Sequence, residues 1–286
     1  MNRQPNDFAR PSVARVFDHL LGGSDNYAAD RALAQRLAQI APELPDMIRI
    51  NADHGPRAVA TLASDLGIRQ YLDLGCGLPA GLYGHRTPHE VARAVHGTAR
   101  VVYVDSDPVV YGHANMVLAE EPGTAALRAD IREMDALLGA PAVRALNRSE
   151  PIGVLLHDVL LWVTDDEALT VLETLRAWLP AGSAISLTHA TADAAPQMMR
   201  DLTSCYAEAG ITYRPRSRHH IRALLDPWAP TPPGIVPIPQ WRAAEHLRHL
   251  PATGHAHAHA AVVRERTRAP DEPRGAGTER SQPAAP

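Results

Sequence analysis

Gln70–Pro79, QYLDLGCGLP, decides how the chain is read. Tyr71, Leu72 and Leu74 make a short buried strand that runs into a glycine turn at Gly75 and Gly77. Asp73 sits on the strand, two residues before the first glycine. Glycines in such a turn let the backbone approach a ligand with no Cβ in the way. About thirty residues on, Arg100–Pro108 reads RVVYVDSDP, a second strand with an acid at its end. Strand, glycine turn, helix, strand and acid is the layout of a nucleoside-binding α/β half-domain.

The same alternation continues. Strands are predicted at Gln70–Leu74, Val101–Asp105, Thr124–Arg128, Ile152–His157 and Ala184–His189. Helices fall between them at His89–Val95, Pro108–Leu118, Arg132–Leu138 and Asp166–Trp178. This predicts a mostly parallel sheet covered on both faces by helices. Downstream come a long helix, Pro196–Ala209, and a short one near His219–Leu225 with Ser217 as cap. Two strand-like runs, Gly234–Gln240 and His255–Arg264, are expected to close the sheet as an antiparallel pair.

Upstream, the chain reads as all-helical. Ser12 is placed to cap a helix over Val13–Leu21 that Gly22–Gly23 ends. A second helix, Ala28–Ile40, stops at Pro42. A third begins near Asp46, is broken at Gly55–Pro56 and resumes as Arg57–Leu66. Three regions follow: a helical cap over 1–67, an α/β domain over 68–265 and a disordered tail over 266–286, which lacks large apolar residues.

The 286 residues, 45% of them apolar, suffice for one large α/β domain. A net charge of −4 gives no basic surplus for nucleic acid. All 28 basic residues are arginine, so no lysine serves as base or Schiff-base former. Two cysteines, Cys76 and Cys205, make no disulfide framework. The apolar run Ile152–Val163 is interrupted by His157 and Asp158 and is too short to span a bilayer. With no apolar signal core at the N-terminus, the expectation is a cytoplasmic protein, free of membrane and nucleic-acid partners.

The glycine turn alone fits the loose dinucleotide pattern glycine-x-glycine-x-x-alanine. Asp73 beside it would repel a pyrophosphate and welcome an ammonium group. Pro79 removes a backbone donor where a phosphate needs several. These details favour a ligand with a nucleoside and a cationic end. Asp105 can accept from both ribose hydroxyls, and Asp107 reads as a helix cap before Pro108. Asp130 has two readings: acceptor for an adenine amino group with Ile131 on the ring, or N-cap of the following helix. His157 and Asp158, at the carboxyl end of the fourth strand, either bind substrate and move a proton or form a polar strand end. Arg15, Asp18, Asn26, Tyr27, Arg49 and Asn51 are a polar set in the helical region, read as carboxylate-binding or as a solvated face. His255, His257 and His259 share one face of a strand, but no carboxylate or cysteine cluster supports a metal, and none is assigned.

YLDLGCG, VVYVDSDP, ADI and the strand ending LLHD resemble the ordered motifs of class I S-adenosylmethionine-dependent methyltransferases. More narrowly, PSVARVFDHLLGGSDNYAADR, GIRQYLDLGCGLP, HEVARAV, ARVVYVDSDPVV, ISLTHAT, RSRHHIRALL and GIVPIPQWR resemble an actinobacterial family of such proteins whose substrate is unassigned. The resemblance spans residues 11–245. It implies a Rossmann-like, seven-stranded sheet with an N-terminal helical cap, and S-adenosylmethionine as cofactor. By the same resemblance Asp73, Gly75 and Gly77 lie near the cofactor's amino-acid end. Asp105, with Ser106 beside it, holds the ribose; Asp130 and Ile131 hold the adenine; Tyr27 and Asn51 join from the cap. The loop Ala80–Thr87 departs in length and composition. Where relatives often carry a histidine after the fourth strand, this chain reads Val159-Leu160-Leu161-Trp162. His157, Asp158 and His189 are the acceptor-side candidates. The function expected is methyl transfer to a small molecule. Two alternatives stand beside it, a cofactor-binding regulator without catalysis and a nicotinamide-dependent oxidoreductase.

Overall fold

The computed structural model describes residues 8–78, 84–242 and 257–265. Four helices come first: α1 Val13–Leu20, α2 Ala28–Ile40, α3 Leu44–Ala52 and α4 His54–Leu66. Then β1 Gln70–Leu74, α5 Pro88–His96, β2 Arg100–Asp105, α6 Pro108–His113 and β3 Thr124–Arg128 follow in alternation. The second half holds α7 Met134–Gly139, α8 Pro141–Arg144, β4 Ile152–His157, α9 Asp165–Trp178 and β5 Ala184–Ala190. It ends with α10 Pro196–Glu208, α11 Arg218–Leu224, β6 Ala229–Pro230, β7 Val236–Pro237 and β8 Ala258–Arg264.

The sheet runs in the order β3-β2-β1-β4-β5-β8-β6, with β7 also paired to β8. Its first five strands are parallel, and β8 lies antiparallel to β5. Strand alternation sorts the apolar residues between two faces. Leu72, Leu74, Val102, Val104, Val154, Leu156, Ile185 and Leu187 pack with α7, α8, α9 and α11. Tyr71, Val101, Tyr103, Leu155 and Val262 pack with α4 and α5 on the other side. Gly153 makes room for the Tyr71 ring there: a Cβ on it would lie 2.8 Å from Tyr71 Cδ1. A third cluster gathers α1, α2 and α3 against α10 and the Leu161 turn. Of the predicted helical cap, then, α1–α3 pack among themselves and on α10, while α4 lies on the sheet.

The sheet has eight strands where seven were expected. The far side of β8 is shared by two strands of two residues each, β6 and β7. Pro230 and Pro237 carry no N–H for a ladder, which confines such segments to short edge pairings. The predicted strand Gly234–Gln240 therefore shrinks to Val236–Pro237 and continues as a 3-10 turn, Ile238–Gln240. The break in the third helix falls at Asp53, and Pro56 sits in the first turn of α4, where its missing donor costs little. Ser12 occupies the N-cap position of α1, but its side chain makes no capping bond. Its backbone N–H instead donates to Asp30 Oδ1 at 2.9 Å. Asp107 and Ser217 cap α6 and α11 as their positions suggested. Pro79, the first half of the loop Ala80–Thr87, His255 and the tail 266–286 lie outside the described residues.

Candidate active site

The carboxyl ends of β1, β2, β3 and β4 open into one cavity of about 620 Å³. This is the edge at which open α/β sheets take ligands, and the size falls in the usual range for small-molecule sites. Gly75 and Gly77 turn the chain out of β1 with φ of 66° and 63°. Both need to be glycine, for different reasons. A Cβ on Gly75 would meet Val159 Cγ2 at 2.8 Å, whereas one on Gly77 would meet nothing within 4 Å among the described residues. Gly75 is thus fitted to the protein, and Gly77 keeps the space beside its Cα clear of a side chain.

Asp105 closes the turn from β2. Its Oδ2 accepts from Gly77 N at 3.1 Å and its Oδ1 from Asp107 N at 2.9 Å. Burial pushes its pKa up to about 6, against the pull of those backbone donors. Asp73 is pushed up to about 7, by burial first and then by the charge of Asp105. Two buried carboxylates on one cavity resist ionising together and favour a cationic or hydrogen-bond-donating ligand. Ser106, Asp130 and Ile131 line the same cavity. Asp130 caps the following turn through Arg132 N at 2.9 Å and pairs with the Arg132 side chain, which holds its pKa down. The cap reading of Asp130 therefore holds, in a residue that also faces the cavity.

Beyond β4 the chain turns sharply. Asp158 has φ of 56°, a left-handed geometry that costs a non-glycine residue about 1–2 kcal/mol. Its N–H is tied to Thr188 Oγ1 at 2.9 Å and Thr188 O at 3.2 Å. A 3-10 turn, Leu160–Trp162, follows. The buried guanidinium of Arg216 pins that turn through Leu160 O at 2.8 Å and Val163 O at 3.2 Å. Asp158 Oδ1 is buried with no hydrogen-bond partner among the described residues, and the same holds for Asn51 Oδ1 on α3. Both residues line the cavity. Buried acceptors are nearly always paired, and both of these orphans belong to residues that line one cavity. Burial pushes Asp158 up to about 7.

The histidines separate. His157 lines the cavity, with Nε2 2.8 Å from Ser186 Oγ, and burial lowers its pKa to about 4. His189 does not line it. Its Nδ1 donates to Ala190 O at 2.8 Å, and its Nε2 accepts from Arg216 Nη1 at 2.8 Å. Both nitrogens are thus used inside the core, and burial brings its pKa down to about 3. Strand parity explains the split: His157 alternates with Leu155, His189 with Leu187, and those leucines lie on opposite faces.

The polar set of the helical region does not converge either. Asn51 alone of the six reaches the cavity. Tyr27 stands outside it, its ring 4.3 Å from that of Phe8 and 5.5 Å from the Arg15 guanidinium. Arg15 is bound to Asp30 and Asp107, Asn26 donates to Asp18, and Arg49 is exposed beside Asp46. His257 Nε2 lies 3.8 Å from Glu43 Oε1. Among the described residues no three His, Cys, Asp or Glu are grouped to hold a metal, and no helix is long and apolar enough to cross a membrane. Residues the motifs did not flag complete the far wall: Phe17, Ile48, Trp162 and Ile211, contributed by four separate segments.

A model of the S-adenosyl methyltransferase family matches residues 1–266. The chain belongs to that family. Its cofactor is S-adenosylmethionine, and the nicotinamide reading of the glycine turn is set aside. Two solved structures are similar over nearly the whole chain. One is a DUF574 family protein from Streptomyces avermitilis, 31% identical, covering 91% of this chain and 99% of that one with a TM-score of 0.84. The other is a candidate methyltransferase from Thermobifida fusca, 34% identical, covering 93% of this chain and 100% of that one with a TM-score of 0.82. No curated protein matches the chain. The methyltransferase sheet therefore carries its cavity where the sequence placed the glycine turn.

Proposed function

We propose that this methyltransferase transfers the methyl group of S-adenosylmethionine to a small-molecule acceptor, with the cofactor along the ends of β1–β3 and the acceptor against Phe17, Ile48, Trp162 and Ile211. The observation that carries the reading is the mixed chemistry of one cavity: Asp73, Asp105 and the glycine turn line it together with the apolar Phe17, Ile48, Trp162 and Ile211. The residues suit the cofactor. Asp73 sits where a cationic amino-acid end gains from its charge, beside the open backbone of Gly77. Asp105 presents a buried carboxylate to ribose hydroxyls, with Ser106 adjacent. Ile131 offers an apolar face and Asp130 an acceptor for adenine, and Asn51 Oδ1 awaits a donor.

When bound, the cofactor supplies a methyl group already activated by its sulfonium. The protein's part is to hold donor and acceptor in line and to exclude water. The acceptor reaches that end under α1 and α3, so the cap shields the reacting atoms. Calorimetry with S-adenosylmethionine, S-adenosylhomocysteine and NAD in parallel tests the reading. Micromolar binding of the two sulfur ligands without an NAD signal is expected, followed by turnover in an acceptor screen. Binding with no turnover against any acceptor would favour a regulator that senses the cofactor. No binding of either sulfur ligand would end the reading.

A further inference from the structure

We infer that the methyl acceptor is a hydrogen-bond-donating amine or hydroxyl carried on a flat apolar body, and that Asp158 receives its proton. This rests on the methyltransferase reading above and names the substrate class of the same site.

Asp158 is held in a left-handed conformation by bonds its own side chain does not make: two from its N–H to Thr188, and the Arg216 clamp on the turn that follows. An uncommon backbone geometry fixed so firmly from outside leaves the side chain aimed by the fold. Its Oδ1 is buried without a hydrogen-bond partner among the described residues, and Asp158 lines the cavity. A ligand that donates there satisfies it; one that brings only acceptors leaves it orphaned.

Next to this carboxyl the wall is apolar. Trp162 stands one turn further along, its ring 6.1 Å from that of Phe17, and Ile48 and Ile211 lie on the same cavity. Such a surface takes a flat ring system better than a sugar or an extended polar chain. Charge narrows the class further. Five aspartates and two arginines line the cavity among the described residues: Arg132 is paired with Asp130, Arg86 donates to Glu90 O and Asp107 is held by Arg15, while Asp73, Asp105 and Asp158 have no arginine partner. A carboxylate or phosphate acceptor would be repelled, whereas a neutral hydroxyl or an amine would not.

The step balances. A lone pair on the acceptor nitrogen or oxygen forms the bond to the methyl carbon, the carbon–sulfur bond breaks, and sulfur keeps the electron pair. The proton displaced from the acceptor passes to Asp158. Burial already sets this carboxyl near neutrality, which suits a group that must both take and release a proton.

The test uses three naphthyl probes of one shape: 1-naphthylmethylamine, 1-naphthol and 1-naphthoate. Each is titrated calorimetrically into protein saturated with S-adenosylhomocysteine, for wild type, Asp158→Gly and Asp158→Asn. Glycine accepts the left-handed backbone and deletes the carboxyl; asparagine keeps an acceptor oxygen and deletes the charge. Wild type is expected to bind the amine and the naphthol at least about tenfold more tightly than the naphthoate. That preference should vanish in Asp158→Gly, and in Asp158→Asn the amine should lose more than the naphthol. Affinity for S-adenosylhomocysteine should stay within about twofold in both variants. Equal binding of the three probes, or a preference that survives in Asp158→Gly, overturns the inference and leaves the cofactor reading standing. Loss of S-adenosylhomocysteine affinity in Asp158→Gly also overturns it, by placing Asp158 on the cofactor. Absence of S-adenosylhomocysteine binding to wild type is a different failure, that of the methyltransferase reading itself.

Discussion

Arg15 on α1 is bonded to Asp107 at the end of β2, Nη1 to Oδ2 at 2.7 Å, with 5% and 9% of the two side chains exposed. The same guanidinium holds Asp30 of α2 through Nε at 2.9 Å. Asp107 spends its other oxygen capping α6, accepting from Val109 N at 2.7 Å. One arginine thus fastens two helices of the cap to the strand that carries Asp105.

Removing it strands two buried carboxylates. Arg15→Ala should destabilise the protein by about 3–5 kcal/mol, the usual cost of breaking a buried pair from one side. Urea unfolding measures this directly, and a change under about 1 kcal/mol would show that the network carries little. Cofactor affinity should fall too, because the cap would no longer be fixed over the cavity.

Asp105→Ala should weaken S-adenosylmethionine binding by about 2–4 kcal/mol, the loss of two hydrogen bonds to a charged acceptor. Unchanged calorimetric affinity would remove Asp105 from the site. The variant also frees Gly77 N, so the turn should be checked by its effect on stability, expected to be small beside the binding loss.

Cofactor affinity should rise with pH between about pH 5 and about pH 7.5. Asp73 and Asp105 carry raised values of about 7 and about 6 in the empty protein, and an ammonium group with donating ribose hydroxyls favours both ionised forms. Binding below that range must expel protons, so affinity is weakest there and levels off above it, a change of about tenfold or more. Calorimetry in two buffers of different ionisation enthalpy reads the protons released. Affinity flat across the range, with no proton release, would take Asp73 away from the ammonium. For folding the sign is opposite. Both carboxyls hold protons more firmly in the native state, so their contribution favours folding at low pH and falls as pH rises toward about 7.

Gly153→Ala should cost about 1–3 kcal/mol, because the new methyl meets the Tyr71 ring at 2.8 Å in an interior that has nowhere to move it. Thermal unfolding would measure it. A neutral result would mean that Tyr71 gives way despite its bond to Ile68 O at 2.8 Å.

Periodicity placed the five parallel strands to within one residue at each end, since buried runs such as Val101–Val104 have few other ways to fold. The strand ends were legible for the same reason, and with them Asp73, Asp105, Asp130 and Asp158. His189 was not separable from His157 by motif, because each sits at a strand end. Only parity, counted against Leu155 and Leu187, puts them on opposite faces. Tyr27, which the resemblance brings to the cofactor from the cap, is instead spent at the start of α2, against Phe8 and Arg15. The apolar wall was beyond reach, because Phe17, Ile48, Trp162 and Ile211 are separated by long stretches of chain and none is unusual in its own helix or loop. Asp107 was read as a cap and is one, but its bond to Arg15 joins residues 92 positions apart, which no local pattern announces.

The four segments that build that wall contribute no strand of the sheet. Exchanging Phe17, Ile48 or Ile211 reshapes one end of the cavity without touching the glycine turn, Asp105 or Ile131. A lineage built on this frame is therefore free to diversify what it modifies while leaving its methyl donor alone, and Trp162, in the Arg216-pinned turn that follows Asp158, is the wall residue least free to change.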